Sequence, residues 1–256
     1  MGNNPHHAED ARLARSCADA AARELIRLRA AAGENLRDRG DALAHRVIME
    51  QLHAARPGDA VLSEEAADDV ARLTADRVWI IDPLDGTREF GEPWRVDWAV
   101  HVALWVRGWL AAAAIALPAL GVTLGTDELV PRPALRDGRT RIAVSRTRAP
   151  SFLADIARSV EADLVPLGSA GYKVAAVVRG EVDAYVHAGG QYEWDSAAPV
   201  AVAVASGLHA SRLDGSPLVY NAPNPYLPDL LVCRPELAHD LLRASAAALS
   251  ESGSSR

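Results

Sequence analysis

The chain has 256 residues, 49% of them apolar and 24% charged, and 27 basic against 34 acidic residues give a formal net charge of −7. That length suits one large domain or two modest ones, with enough chain to bury a core. The acidic balance argues against a nucleic-acid polymer as ligand, because phosphate backbones are gripped by excess Lys and Arg. A small phosphate is still allowed, since bound cations supply positive charge locally.

Two cysteines, Cys17 and Cys233, lie far apart and have no metal-ligand spacing. They fit free, buried thiols in a reducing cytoplasm. The first ten residues are polar and lack the apolar core of a signal peptide. The longest apolar stretch, 110–120, is too short to span a bilayer and contains Pro118. The expectation is a soluble cytoplasmic protein with no membrane partner; whether it forms a homodimer is left open by the residues.

In chain order, residues 9–32 predict a long amphipathic helix ended near Gly33. A second helix is predicted over 41–55, with Asp41 after Gly40 as its N-cap and Arg56-Pro57-Gly58 as its stop. The apolar run 78–81 reads as a strand, and 97–106 and 109–117 read as a hairpin turning at Gly108. The Pro-, Arg- and Gly-rich stretch 131–139 reads as a linker. Beyond it, strands at 141–145 and 183–187 alternate with helices at 151–161, 172–179, 194–206 and 235–249, and 213–217 is a turn. The helix at 194–206 is apolar nearly all round and therefore buried. The pattern predicts an α/β protein with two layered parts, 1–138 and 139–256, and a cleft between them.

The richest local signal is Trp79-Ile80-Ile81-Asp82-Pro83-Leu84-Asp85-Gly86-Thr87. A buried strand delivers Asp82, and Pro83 keeps it out of the α region and bends the chain. The bend can turn the Asp82 and Asp85 carboxylates and the Leu84 carbonyl toward one point, an oxygen set suited to Mg²⁺. Gly86 and Thr87 then open a short helix whose free N–H groups can meet a phosphate oxygen. Glu64, in Leu62-Ser63-Glu64-Glu65, sits at a strand end, although a Glu pair taken alone is usually a solvated face. Asp195 occupies the first turn of the apolar helix, where a carboxylate commonly just complements the helix dipole. Lys173 is the only lysine among the 27 basic residues, and it follows the turn Gly168-Ser169-Ala170-Gly171.

These residues resemble the inositol monophosphatase superfamily, and within it the 3′(2′),5′-bisphosphate nucleotidases that act on 3′-phosphoadenosine 5′-phosphate. Glu64 falls in the family's Glu-Glu element, Asp82 to Thr87 match its Asp-Pro-Leu-Asp-Gly-Thr element, and Trp194 to Ala198 match its Trp-Asp-x-Ala-Ala element. The resemblance implies a sandwich of alternating helix and sheet layers. It implies ligation of two or three Mg²⁺ ions by Glu64, Asp82, Asp85, Asp195 and the Leu84 carbonyl, with inhibition by Li⁺. It also implies that Asp41 works with Thr87, alongside Glu64, to position the attacking water.

Three features resemble the nucleotidase branch. Arg88-Glu89-Phe90 continues the motif as nucleotidases do. Gly168-Ser169 with Lys173 is similar to their Gly-Ser-x-x-Lys element, with one extra residue before the lysine. Ala188 stands seven residues before Asp195, where inositol phosphatases commonly carry an acid for sugar hydroxyls. The function implied is Mg²⁺-dependent hydrolysis of the 3′-phosphate of a small phosphorylated substrate. Asp85, Gly86, Thr87, Arg88, Gly168, Ser169, Lys173 and Asp195 would line its binding site, Lys173 and Arg88 holding a second phosphate. Inositol monophosphate or fructose 1,6-bisphosphate as substrate is the alternative, and a non-catalytic nucleotide- or metal-binding regulator a more remote one.

Overall fold

The apolar periodicity near the N-terminus becomes two long helices in the computed structural model, which describes residues 5–128, 130–131, 134, 138–147 and 149–253. Helix α1 (Pro5–Ala31) buries Ala14, Cys17, Ala21 and Leu25, and α2 (Leu36–Ala55) buries Ala44, Ile48 and Leu52. Each set is one stripe at helical spacing. Helix α2 begins earlier than predicted, after Asn35 in a left-handed conformation without a side-chain cap. Gly40 lies inside it. A Cβ there would come within 2.7 Å of Phe90 and 2.9 Å of Leu84, so glycine serves close approach of α2 to the Asp82–Phe90 segment. Asp41 is consequently a mid-helix residue and not an N-cap.

The first sheet comprises β1 (Ala60–Ser63), β2 (Arg77–Asp85), β3 (Ala99–Val106), β4 (Trp109–Leu117) and β5 (Val122–Gly125), paired in that order. Strands β1 and β2 are parallel, and the β3–β4 hairpin turns at Arg107–Gly108 as expected. Strand β2 runs past its predicted end. Asp82 faces His101 across the ladder while Asp85 faces Ala99, so the Pro83–Leu84 stretch bulges. A bulge of this kind re-aims side chains at a sheet rim.

The second sheet has the order β7-β6-β8-β10-β9, from β6 (Thr140–Ser145), β7 (Ala162–Leu167), β8 (Ala184–Tyr192), β9 (His209–Ser211) and β10 (Tyr226–Cys233). The remaining helices are α3 (Thr87–Phe90), α4 (Leu153–Ser159), α5 (Ala170–Val178), α6 (Glu193–Ala205) and α7 (Pro235–Gly253). Helices α1 and α2 cover one face of the first sheet, and α5 and α6 lie between the two sheets. Helices α4 and α7 cover the far face of the second sheet. The result is the expected alternation of helix and sheet layers. Burial on both sides explains why α6 is Ala/Val-rich all round. The predicted linker, 131–139, falls largely outside the described residues; the first sheet ends at Gly125 and the second begins at Thr140. Cys17 and Cys233 are buried free thiols. Among the described residues, no helix is long and apolar enough to cross a membrane.

A buried arginine ties the segment after β1 to the segment before β10. Arg72, in a 3-10 turn at Val70–Thr74, pairs with Asp68 at 2.6 Å and donates to Asn221 Oδ1 at 2.7 Å and to the Ala222 carbonyl at 3.0 Å. Glu193, at the start of α6, accepts from the backbone N–H groups of Asn221 and Ala222 at 2.6 and 2.8 Å.

Candidate active site

The bulge in β2, the end of β1 and the first turns of α5 and α6 converge on a cleft of about 390 Å³. From the first half it is lined by Glu64, Asp82, Leu84, Asp85, Gly86, Thr87 and Arg88, and from the second by Gly168, Ser169, Lys173 and Asp195. Every predicted site residue except Asp41 therefore lines one cavity. Asp41 stands behind it, with its Oδ1 3.3 Å from Thr87 Oγ1, which also lies 3.1 Å from the Leu84 carbonyl.

Asp85 is the most heavily engaged of the acids. Its carboxylate accepts from Ser169 Oγ at 2.5 Å and from the N–H groups of Ala170 and Gly171 at 3.2 and 2.6 Å, closing the N-terminus of α5. His101 Nε2 lies 3.3 Å away. Burial alone would raise its pKa, but the His101 ring, the Ser169 hydroxyl and the Lys173 ammonium outweigh it and hold Asp85 at about 2. The other acids move the opposite way. Burial, with Asp195 and Asp85 nearby, pushes Glu64 up to about 7, and burial with Asp85 pushes Asp195 up to about 6. Asp82, fully buried and facing Asp85 and Glu64, is also raised. Asp41 rises to about 7 through burial and Glu65.

His101 was not singled out by sequence. It is the lone polar side chain in the apolar run of β3, and it sits fully buried between Asp85 and the Trp194 carbonyl, 3.1 Å from Nδ1. Lys173 differs from expectation in its surroundings. It is 4% exposed and donates to the carbonyls of Gly168 at 3.2 Å and Ser169 at 2.7 Å, so its charge acts from behind the turn. Arg88 is exposed at the cleft wall. Glu89, buried, binds Arg146 Nη2 at 2.6 Å, and Asp97 accepts from the Gly168 N–H at 2.5 Å, fixing the same turn.

The donor chemistry fits a divalent metal. Asp82, Asp85 and His101 each offer a ligand atom within 4.8 Å of the others, and Glu64, Asp195 and the Leu84 carbonyl line the same cavity. Burial, with like-charged neighbours adding to it, raises three of the four carboxylates, so the pocket favours a partner that relieves their charge. An oxygen-rich, excess-negative pocket of this kind is suited to a hard cation.

The shifts fix the sign of a pH effect. Carboxyls raised in the fold stabilise it below their ordinary values and lose that contribution as pH rises through about 6 to about 7. A cation relieves the charged form and competes with protons. The increase in Tm on adding Mg²⁺ is accordingly expected to be larger at about pH 8 than at about pH 5. Equal Mg²⁺ shifts at both pH values in a thermal melt would contradict a carboxylate site for the metal.

Residues 11–250 match the model of the inositol monophosphatase family. The chain belongs to that family. Among curated relatives, the 3′-phosphoadenosine 5′-phosphate phosphatase of Mycobacterium tuberculosis (strain CDC 1551 / Oshkosh) is 56% identical over 234 residues, covering 87% of this chain and 88% of the relative. The protein of the same name from Mycobacterium leprae (strain TN) is 52% identical over 249 residues, 91% and 92% of the two chains. The 3′(2′),5′-bisphosphate nucleotidase CysQ of Escherichia coli (strain K12) is 31% identical over 199 residues, 73% and 80%. In fold, the chain is similar to the crystal structure of CysQ from Bacteroides thetaiotaomicron, a bacterial member of the family. The TM-score is 0.80 at 24% identity, over 90% of this chain and 99% of that one.

Proposed function

We propose that this chain hydrolyses the 3′-phosphate of 3′-phosphoadenosine 5′-phosphate in a Mg²⁺-dependent reaction. The observation that carries the proposal is the meeting of Glu64, Asp82, Asp85, Asp195 and the Leu84 carbonyl in one cleft, in a chain more than half identical to phosphatases named for that substrate. Two or three bound Mg²⁺ ions would polarise the phosphate and acidify water. Glu64, Asp82, Asp85, Asp195 and Leu84 would hold them.

The chain's own groups do the rest. Thr87, held by Asp41, and Glu64, which lines the same cleft, position the attacking water. Gly86 and Thr87 present N–H groups to the phosphate as its charge develops. His101 keeps Asp85 anionic and in place from behind. The 5′-phosphate is met by Arg88 at the cleft wall, with Lys173 adding positive potential through the Gly168–Ser169 turn. A charge-assisted contact of this type is stronger than a neutral hydrogen bond.

The test is a comparison of kcat/KM on 3′-phosphoadenosine 5′-phosphate, inositol 1-phosphate and fructose 1,6-bisphosphate with Mg²⁺. The first is expected to exceed inositol 1-phosphate by about tenfold or more, the worth of one charge-assisted contact to a second phosphate that inositol 1-phosphate lacks. It is also expected to be preferred over fructose 1,6-bisphosphate, which carries its second phosphate on a different scaffold. A preference for either of the other two substrates would overturn the assignment. Absence of turnover on all three would instead favour a binding protein.

A further inference from the structure

Among the described residues, Gln191 is the one side chain whose buried polar group is unpartnered at both ends: neither Oε1 nor Nε2 meets a donor or acceptor of the protein. Gln191 is 7% exposed, stands near the end of β8 opposite Leu227 of β10, and forms part of the cleft wall. Its backbone is held by the sheet and lies next to Tyr192, whose N–H is bound by Asp195 at 2.6 Å. The base of the side chain is thus fixed beside the acidic centre. The three residues before it, Ala188, Gly189 and Gly190, have no side chain that can donate or accept. His187 and Tyr192 of the same strand also line the cleft, but His187 Nε2 is engaged by the Gly190 carbonyl and Tyr192 is stacked on Trp194. The Gln191 amide is the buried group of this wall left unpartnered at both ends.

A buried amide with both ends unmade is unfavourable, and such a group in a native fold calls for a partner. The partner's chemistry follows from the amide, which sets one acceptor beside its donors. A phosphate is all acceptor and would leave Oε1 unmade. A cation would take Oε1 and leave the N–H groups unmade. The amino edge of adenine offers the complement, an N–H donor beside a ring-nitrogen acceptor, and a glutamine amide pairs with it bidentately.

We infer that Gln191 recognises the adenine base of the substrate, Oε1 accepting from the 6-amino group and Nε2–H donating to the adjacent ring nitrogen. This inference rests on the nucleotide substrate proposed above and names the residue that selects its base.

The experiment compares adenosine 3′,5′-bisphosphate with purine riboside 3′,5′-bisphosphate, which lacks only the 6-amino group, in wild type and Gln191→Leu. Wild type is expected to favour the adenine compound in kcat/KM by about tenfold, the discrimination typical of such a pair. In Gln191→Leu the ratio is expected to fall to about one, because only the amide distinguishes the two bases. The ratio is taken within each protein, so partial unfolding cancels; Gln191→Met repeats it if the leucine variant does not fold. A wild-type ratio already near one, or a preference that survives in the variant, would overturn the role of Gln191 while leaving the phosphatase assignment intact. Failure of wild type to turn over either nucleotide would overturn both.

Discussion

Asp82→Asn is expected to lower kcat by about two to three orders of magnitude at saturating Mg²⁺, the scale of losing a preorganised electrostatic partner of the reacting group. Asp82 is fully buried on the bulge of β2, faces Asp85 and Glu64, and spends one oxygen on the Leu84 N–H at 3.0 Å. An asparagine carbonyl can keep that hydrogen bond, so the fold has no reason to change. It cannot supply the negative charge. The same substitution removes a carboxylate that burial and its acidic neighbours make costly to ionise. In EDTA the variant is therefore expected to melt no lower than wild type, while its response to Mg²⁺ falls. A variant that retained about a tenth of the wild-type rate would show that Asp82 is not central. A variant unstable in EDTA would show that its role is structural.

The largest stability effect is expected at Gly171. A Cβ at this position would overlap His101 Nε2 and also crowd the adjoining ring carbons. His101 cannot retreat: it is fully buried, with the Trp194 carbonyl at Nδ1 and Asp85 at Nε2. Helix α5 would have to back away, giving up the bonds that Asp85 makes to its first N–H groups. Gly171→Ala is expected to cost about 3 kcal/mol or more of unfolding free energy, the upper range for overpacking a rigid core. Gly58 is the control, because nothing lies within 4 Å of a Cβ there. Gly58→Ala should stay within about 0.5 kcal/mol of wild type in the same denaturant titration. Equal stability of the two variants would mean that His101 yields and does not brace α5.

Those two sites also mark how far the sequence alone could be read. The Asp82–Thr87 string, the β3–β4 hairpin and α6 are legible because their signals are local: a proline bend, a turn glycine, an Ala/Val-rich stretch interrupted only by Pro199. The chemistry around them is not. His101 is a single polar residue in an otherwise apolar strand sequence, and only the pairing of β2 with β3 brings it against Asp85. Asp41 was read as a cap because Gly40 precedes it, yet Gly40 answers to Phe90 and Leu84, which are distant in sequence. Strand β10 carries Pro228 and Asp229, which mask its strand pattern; its pairing with β8 holds it in the sheet. Lys173 stood out as the sole lysine, but its burial against two carbonyls depends on where α5 packs.

The acids that would hold the cation come from two layers: Glu64, Asp82 and Asp85 from the strand ends of the first sheet, Asp195 from α6 in the helix layer between the sheets. A cation gripped by all of them would work like a rivet through two plates. Any shear of one sheet along the α5–α6 layer would stretch its coordination, and filling the site would in turn stiffen the joint, since affinity and geometry bias one another equally. Asp85 pins the first sheet to the start of α5, and Arg72 reaches the Asn221–Ala222 segment that holds Glu193 at the start of α6. The acids of the cleft would in that sense also fasten the layers once a cation fills them.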